Sequence, residues 1–426
     1  MFKKIKEILC NRVAKNASWI IGGKIIQMGM NLIVNVLVAR YLGPTEFGFI
    51  SYAGAYTAFF SSICTLGIDS VIVKELIDNS KKEGEVLGTS LFLRLLSSTF
   101  STLTIMGIAM VVDAGQPVTQ LVVILSSLSC IFQVFDTFTY WFQARLQSKV
   151  TTIATILAVI ITSGYKVILL IAGMPVTYFA VALSIDYICL AIFFYISYKK
   201  YGGGKLSISL GYAKSILKKS YHFILPGLMV SVYAQTDKLM LKHMISDAEI
   251  GYYSTAVSLC SAWTFVLSAI IVSLTPSIME SFDRDRLEFD RKNKFLYSIV
   301  FYVSIVVAIG FTIFADLIIY LMYGVAYAPA AAPLRIITWY TAFSYLGVAR
   351  NPWIVCMNRQ KYLKYIYVSA AVLNVILNLI FIPWLGAVGA AIASLAAQIL
   401  TSMVIPCFIK EMRENVVLMG KAILFR

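Results

Sequence analysis

Hydrophobic residues in this chain come in long unbroken blocks, not in the short alternation of a half-buried strand or the single apolar stripe of a soluble helix. A helix needs about 20 apolar residues to cross a bilayer, and twelve blocks of that kind can be marked. Six lie at about 17–39, 47–66, 87–112, 118–138, 152–172 and 176–197, and six more at about 221–242, 250–275, 295–322, 333–355, 365–383 and 387–409. Helices suit such blocks because each satisfies its own backbone polar groups, which hydrocarbon cannot do. The expected fold is an all-α polytopic membrane protein with about twelve transmembrane helices.

Composition strengthens this reading. Of the 426 residues 59% are hydrophobic and only 13% charged, against about 25% charged in soluble domains. Such a chain has too little polar surface for water, so soluble enzyme classes are excluded. The net charge of +15 raises nucleic acid as a partner, but the positions of the cations exclude it. Twenty-nine of the 36 Lys and Arg residues fall at the ends or in alternate loops, including Lys3, Lys4, Lys6, Arg12 and Lys15 before the first span and Lys421 and Arg426 after the last. The opposite loops at 113–117, 173–175, 323–332 and 384–386 have none. By the positive-inside rule both termini are cytoplasmic. The basic N-terminus precedes an apolar run too long for a signal-peptide core, so it reads as a retained first span.

The longest central polar stretch, 198–220, holds Gly202, Gly203, Gly204 and six lysines. It divides the chain into an N-terminal six-helix lobe (1–197), a basic cytoplasmic linker (198–220) and a C-terminal six-helix lobe with a short tail (221–426). The halves resemble each other. Glu46-Phe47-Gly48 lines up with Glu249-Ile250-Gly251 at an offset of 203, and Trp141 and Lys149 line up with Trp353 and Lys361 at 212. With an even number of spans per half, the repeats run parallel, related by a pseudo-two-fold axis along the membrane normal with a central cavity. That is an architecture of alternating-access transporters.

Ionisable groups inside spans are expensive and mark function. The cations not used up by topology are Lys24, Arg40, Arg94, Lys166, Lys238, Lys242 and Arg335. Lys24, Gln27, Asn31 and Asn35 share one helical face, as do Ser90, Arg94, Ser97, Ser101 and Thr104. Gln235 and Lys238 on the seventh span and Asn374 and Asn378 on the eleventh extend the set. Such stripes either glue helices together or line a hydrated cavity. Lys24 and Arg94 lie at matching depth, suited to a diphosphate, although Lys24 can also snorkel to the inner headgroups. Lys166 and Asp186 face each other across a short hairpin as an ion pair, with Asp186 the candidate coupling carboxylate. Asp316 and Arg335 flank an outer loop as an interfacial pair.

Some chemistry is absent. Gly202-Gly203-Gly204-Lys205-Leu206 has neither the spacing nor the hydroxyl of a phosphate-binding loop, which excludes an ATP-driven pump in this chain. His222 and His243 are the only histidines, too few for a histidine metal cluster. The seven scattered cysteines have no CxxC pair and read as small buried hydrophobes. No cofactor or metal is expected, and no enzymatic activity.

The run Arg40-Tyr41-Leu42-Gly43-Pro44-Thr45-Glu46-Phe47-Gly48 resembles the loop after the first helix in Wzx-type polysaccharide flippases, of the multidrug/oligosaccharidyl-lipid/polysaccharide exporter superfamily. Gly67-Ile68-Asp69, Tyr140-Trp141-Phe142-Gln143-Ala144, Gln235-Thr236-Asp237-Lys238, Gly251-Tyr252-Tyr253, Tyr323-Gly324 with Tyr327, and Asn374 through Gly389-Ala390-Ala391 follow in order over nearly the whole chain. The resemblance implies a flippase for undecaprenyl-diphosphate-linked oligosaccharides in the bacterial inner membrane, serving O-antigen, capsule or exopolysaccharide assembly. The partners it implies are that lipid-linked oligosaccharide, membrane lipids, and the polymerase and chain-length proteins of the pathway. Lys24, Arg94, Lys166 and Lys238 fit its basic cavity. A drug/cation antiporter of the same superfamily should instead show a clear cation-binding carboxylate. A polymerase or ligase should carry a large arginine-bearing outer loop, which this chain lacks.

Overall fold

The computed structural model describes residues 12–424, with side chains from Trp19 onward; Lys3, Lys4, Lys6, Cys10 and Arg426, counted above, lie outside the described residues. Eighteen α-helices and no strand occur among them. The first nine are α1 (Arg12–Thr65), α2 (Ile72–Asp78), α3 (Glu83–Val112), α4 (Pro117–Ser127), α5 (Ser129–Phe132), α6 (Thr137–Ala144), α7 (Ser148–Ile171), α8 (Val176–Ala180) and α9 (Ala182–Lys200). Next come α10 (Leu210–Met244), α11 (Asp247–Trp263), α12 (Phe265–Arg284), α13 (Arg286–Tyr323) and α14 (Ala331–Ala349). The last four are α15 (Asn351–Cys356), α16 (Leu363–Ile399), α17 (Ile405–Phe408) and α18 (Arg413–Ile423).

Eight stretches are long and apolar enough to cross a membrane, so this is a multi-pass membrane protein. Two of them fold into two helices each, because α1 breaks at Gly43 and α16 at Gly386. With α10 and α14 added, the expected twelve spans are accounted for. Large apolar side chains on the outer faces stay exposed, as at Ile171 (83%) and Trp384 (87%). In lipid this carries no penalty, since the tails are as apolar as the side chains.

The chain forms two compact units. Unit 1 takes the residues up to Tyr41 and Phe49–Ser231; unit 2 takes Leu42–Gly48 and the chain from Val232 onward. In unit 1 the core gathers Ile72, Leu87, Phe138, Phe142, Phe194 and Tyr198 around Trp141. In unit 2 it gathers Leu267, Phe289, Leu296, Tyr297, Val300 and Ile366 around Trp353. Both tryptophans are fully buried. Each opens the same turn. Gln147 N bonds to Phe142 O at 2.8 Å, and Arg359 N to Ile354 O at 2.9 Å. Leu146 and Asn358 both sit in the left-handed region at φ 53°. All of these pairs are 212 residues apart, so the two turns are the same structure.

Within unit 2, the segment Leu42–Gly48 crosses the start of α11 reciprocally. A Cβ on Gly48 would lie 2.0 Å from Asp247 O, and one on Gly251 would lie 2.1 Å from Pro44 O. These pairs share the offset of 203. Only glycine permits so close a backbone approach. At the other kink, Gly386 adopts φ 55°, and the freed N–H of Ala387 donates to Glu249 Oε2 at 2.5 Å. A broken helix inside a span needs such an outside acceptor.

The stretch from Tyr198 to Ser220 is strapped to unit 1. Ser207 N bonds to Gly84 O at 3.2 Å and Ser209 N to Thr89 Oγ1 at 3.0 Å. Gly84 and Gly88 leave no room for a Cβ beneath it. Glu75 then accepts from Lys219 at 2.6 Å and from Tyr212 at 3.2 Å. Tyr212 lies outside the 221–242 span, and burial together with the Glu75 carboxylate pushes its hydroxyl up to about 12, so it stays a donor. Arg335 pairs with Asp316 as expected. Cys64, Cys130 and Cys260 are buried, whereas Cys407 is exposed.

Gly48→Ala or Gly251→Ala should lower the stability of the detergent-solubilised protein by about 1–3 kcal/mol, the usual range for overpacking. Leu146→Asn, copying the equivalent Asn358, should raise it by about 1 kcal/mol by relieving the left-handed strain. Thermal unfolding monitored by tryptophan fluorescence checks both.

Candidate functional site

Two polar pockets, one per unit, concentrate the chemistry. The unit 1 pocket, of about 380 Å³, is lined by Lys24 and Gln27 of α1, Thr139 and Gln143 of α6, and Ser148, Thr151, Thr152 and Thr155 of α7, with Ile20 and Gly23. The α7 hydroxyls share a face because their spacing is helical. Gly23 brings α1 onto α7, where a Cβ would lie 2.2 Å from Thr152 Cγ2. Thr151 and Thr155 donate to backbone carbonyls at 2.9 Å, and Thr152 does so to Trp19 O at 3.3 Å. Their oxygens keep acceptor capacity for a ligand. Lys24 is exposed and has no hydrogen-bond or ion-pair partner among the described residues. The pocket thus offers one cation ringed by hydroxyls and amides, suited to an anionic, polyhydroxylated ligand.

The unit 2 pocket, of about 330 Å³, is lined by residues of α10, α11, α14 and α16, and Tyr233, Gln235, Lys238, Tyr253, Tyr340, Tyr345 and Ser394 are among them. Its floor is a network on Asp237, a carboxyl group only 3% exposed. Asn378 Nδ2 donates to Oδ1 at 2.6 Å, and Ser394 Oγ and the Tyr253 hydroxyl both donate to Oδ2. Asn378 also donates to Asn374 Oδ1 at 3.1 Å. One carboxyl group therefore ties α10 and α11 to both halves of the broken α16. In the interior each such bond is hard to replace, since an unpaired donor there costs about 1–3 kcal/mol.

The sequence-expected residues separate into groups. Lys24 and Gln27 open onto the unit 1 pocket, and Gln235 and Lys238 onto the unit 2 pocket. Asn374 and Asn378 are fully buried in the Asp237 network and line neither pocket. Arg94 is 2% exposed, with Nη1 donating to Thr137 Oγ1 at 2.7 Å. It lies inside the bundle because its hydroxyl-rich stripe packs against neighbouring helices. Ser97 donates to Ile63 O at 2.6 Å, and Ser101 is fully buried. Asn31 is exposed and Asn35 partly buried, and neither lines a pocket. Lys166 and Asp186 lie close enough for their charges to interact, but no direct hydrogen bond or close ion pair joins them. Asp186 accepts from Thr162 at 3.2 Å instead, while Lys166 is partly buried.

Sequence reasoning missed Thr139, Gln143 and the α7 hydroxyls, although Ser148, Thr151, Thr152 and Thr155 follow the i, i+3, i+4, i+7 pattern of one helical face. It also missed the pocket tyrosines, which come from three separate helices and carry no spacing signal. The burial of Asp237 likewise carries no spacing signal, since it follows from donors up to 157 residues away.

Residues 13–282 match the polysaccharide biosynthesis protein family, and the chain belongs to that family. No curated protein sequence matches it. Among solved structures, the lipid II flippase MurJ in an inward closed conformation aligns with a TM-score of 0.73 at 13% identity, over 94% of this chain and 91% of that one. An inward-facing multidrug resistance MATE family transporter of the MOP superfamily aligns with 0.68 at 15% identity, over 93% and 96%. A MOP superfamily transporter from Pyrococcus furiosus aligns with 0.61 at 13% identity, over 98% of each chain. The fold is therefore that of MOP-superfamily proteins, and these relatives are transporters and flippases, not enzymes.

Asp237→Ala strands up to three donors and should destabilise the protein by at least about 1–3 kcal/mol, the cost of one unpaired buried donor, whereas Lys24→Ala, at an exposed side chain without a hydrogen-bond or ion-pair partner among the described residues, should leave unfolding unchanged. Thermal unfolding of the two purified variants checks the contrast.

Proposed function

We propose that the protein flips polyprenyl-diphosphate-linked oligosaccharide units from the cytoplasmic to the outer leaflet of the bacterial inner membrane, for assembly of a surface polysaccharide. The observation that carries this reading is the unit 1 pocket, where one unpaired lysine stands among seven hydroxyl and amide side chains. A diphosphate supplies the missing counter-charge, and sugar hydroxyls replace water on Gln27, Gln143 and the α7 threonines. The polyprenyl tail stays in lipid, where the exposed apolar faces are already matched to it. Family membership and the likeness to a lipid II flippase support the same class of substrate.

Alternating access carries the headgroup across, with the ligand binding the two end states in turn. Lys238 serves as the second cation along the route, and Asp186 is the proposed coupling carboxylate. Arg94 contributes by holding α3 against Thr137. A drug/cation antiporter is disfavoured: the buried Asp237 is occupied by three donors and has Lys238 next to it in the chain.

In this topology both termini and the 198–220 linker are cytoplasmic. In a cysteine-free background, Lys205→Cys should resist a membrane-impermeant maleimide in intact cells, whereas Met174→Cys should react; the reverse pattern inverts the orientation.

Deleting the protein should abolish surface polymer and trap lipid-linked units inside the cell. Lys24→Ala, at normal protein level, should reduce transport of lipid-linked oligosaccharide in proteoliposomes at least about tenfold, as expected when a charge-assisted contact of about 1.4 kcal/mol or more is lost. Unchanged transport would remove the cationic pocket from the mechanism.

A further inference from the structure

After the last span the chain turns at Ile409 and continues as α18. One face of α18, formed by Asn415, Met419 and Ala422, is buried within unit 2. Asn415 Nδ2 donates to the Tyr297 hydroxyl at 2.7 Å, and Ser298 Oγ donates to Ala422 O at 3.1 Å. Asn415 and Ala422 are about 10 Å apart along their own helix, yet their partners are adjacent residues of α13. Helix α18 therefore lies across α13, not along it. Because α13 is a span, α18 lies broadly in the plane of the bilayer.

The same contacts set its depth. The apolar block of α13 begins at about residue 295. Ser298 and Tyr302, whose hydroxyl donates to Ile423 O at 2.5 Å, stand about 5–10 Å inside that edge. In-plane amphipathic helices rest at about this depth. Ala422 O and Ile423 O are among the last carbonyls of α18, which have no partner within their own helix, and α13 supplies their donors where water is scarce. The outward face suits the same position. Arg413, Val417, Lys421 and Leu424 are all exposed, and at helical spacing they share one arc of about 80° opposite the buried face. Val417 and Leu424 are 57% and 67% exposed, which acyl chains accept and water does not favour. Arg413 spends only Nε, on Cys407 O at 2.7 Å. Lys421 makes no hydrogen bond or direct ion pair with another described residue; the charge of Asp290 reaches it, but Asp290 and Glu414 are both paired with Arg286. Arg286, Arg413 and Lys421 thus outnumber the two carboxylates beside them, and the patch stays positive.

We propose that α18 is an in-plane anchor that docks anionic phospholipid at the basic side of the bilayer, with Arg413 and Lys421 reaching the headgroup phosphates and Val417 and Leu424 set among the acyl chains. A stripe that mixes cations with aliphatic side chains fits the boundary where phosphate and hydrocarbon both lie within side-chain reach. The anchor holds the basic end of α13 at a fixed level in the membrane. It does not depend on what the protein carries, so the flipping reading and this one stand or fall separately.

The test uses the full-length protein in vesicles. In a cysteine-free background, Val417→Cys and Leu424→Cys each carry a nitroxide in phosphatidylcholine vesicles. Collisions with oxygen, which concentrates in lipid, should exceed collisions with a water-soluble nickel chelate, and Lys205→Cys on the linker should show the reverse. Greater access for nickel at both sites, or shielding from both reagents as a second copy of the chain would give, overturns the anchor. Headgroup choice is read from a fluorophore at Leu424→Cys, in vesicles of phosphatidylcholine and phosphatidylglycerol in equal parts. Spin-labelled phosphatidylglycerol should quench it at least about threefold more than spin-labelled phosphatidylcholine, the order of enrichment that surface cations produce. Lys421→Gln combined with Arg413→Gln should remove the preference, whereas Lys421→Arg should keep it. Each variant is first checked for unchanged thermal unfolding. Should the double variant fold poorly, Lys421→Gln alone, which breaks no hydrogen bond, should still reduce the preference by about half. Equal quenching by the two lipids, or a preference that survives these substitutions, overturns the anionic-lipid assignment.

Discussion

Hydrocarbon offers no hydrogen bonds, and the rest of this structure follows from that constraint. Each span has to satisfy its own backbone, so every span is helical, and wherever a helix breaks inside a span an outside group has to step in. The break at Gly386 is the clearest case. The Ala387 N–H, freed from its ladder, is taken by the Glu249 carboxylate from another helix. The same segment of α11 also supplies Gly251 for the crossing with Pro44 and Tyr253 for the Asp237 network. A short motif, Glu249-Ile250-Gly251-Tyr252-Tyr253, therefore performs three structural tasks on successive helical faces.

Burial of charge obeys the same rule. Asp237 is tolerated because three donors surround it, and Lys242 because Asp247 stands 2.7 Å away. Arg94 is tolerated inside unit 1 with Thr137 as its acceptor. Lys24 and Lys238 are different: each lines a pocket, and neither makes a hydrogen bond or direct ion pair with another described residue. Within spans, cations that the fold leaves unsatisfied are where an anionic ligand gains most, because the ligand's charge replaces a solvation that neither lipid nor protein provides.

The two units solve the same packing problem with the same device. A buried tryptophan, followed by a left-handed residue five positions later, turns the chain at Trp141 and again at Trp353. One copy uses Leu146 and the other Asn358, so the strained conformation is demanded by the turn and not by the residue. In unit 1 the tryptophan Nε1 donates to Glu83 at 2.9 Å, and Arg145 covers its ring at 4.0 Å. In unit 1 the turn thereby joins the inside of the bundle to its charged end, a link that the buried Trp353 Nε1 does not make in unit 2.

By itself the sequence determined what depends on local chemistry: twelve apolar blocks long enough to span, the side on which lysines collect, the helical faces that carry polar stripes, and the repeated Glu-x-Gly and Trp signatures. These follow from hydrophobicity and helical periodicity, both properties of neighbouring residues. Only the tertiary structure decided which polar residues meet. It turned Asn374 and Asn378 toward Asp237, took Arg94 into the bundle, gave Asp186 a hydrogen bond from Thr162, and assembled the tyrosines of three helices around Lys238. A polar stripe has the same sequence whether it faces a helix, a cavity or another stripe. The choice is made by long-range packing, where each buried donor has to find an acceptor and only the surplus remains for a ligand.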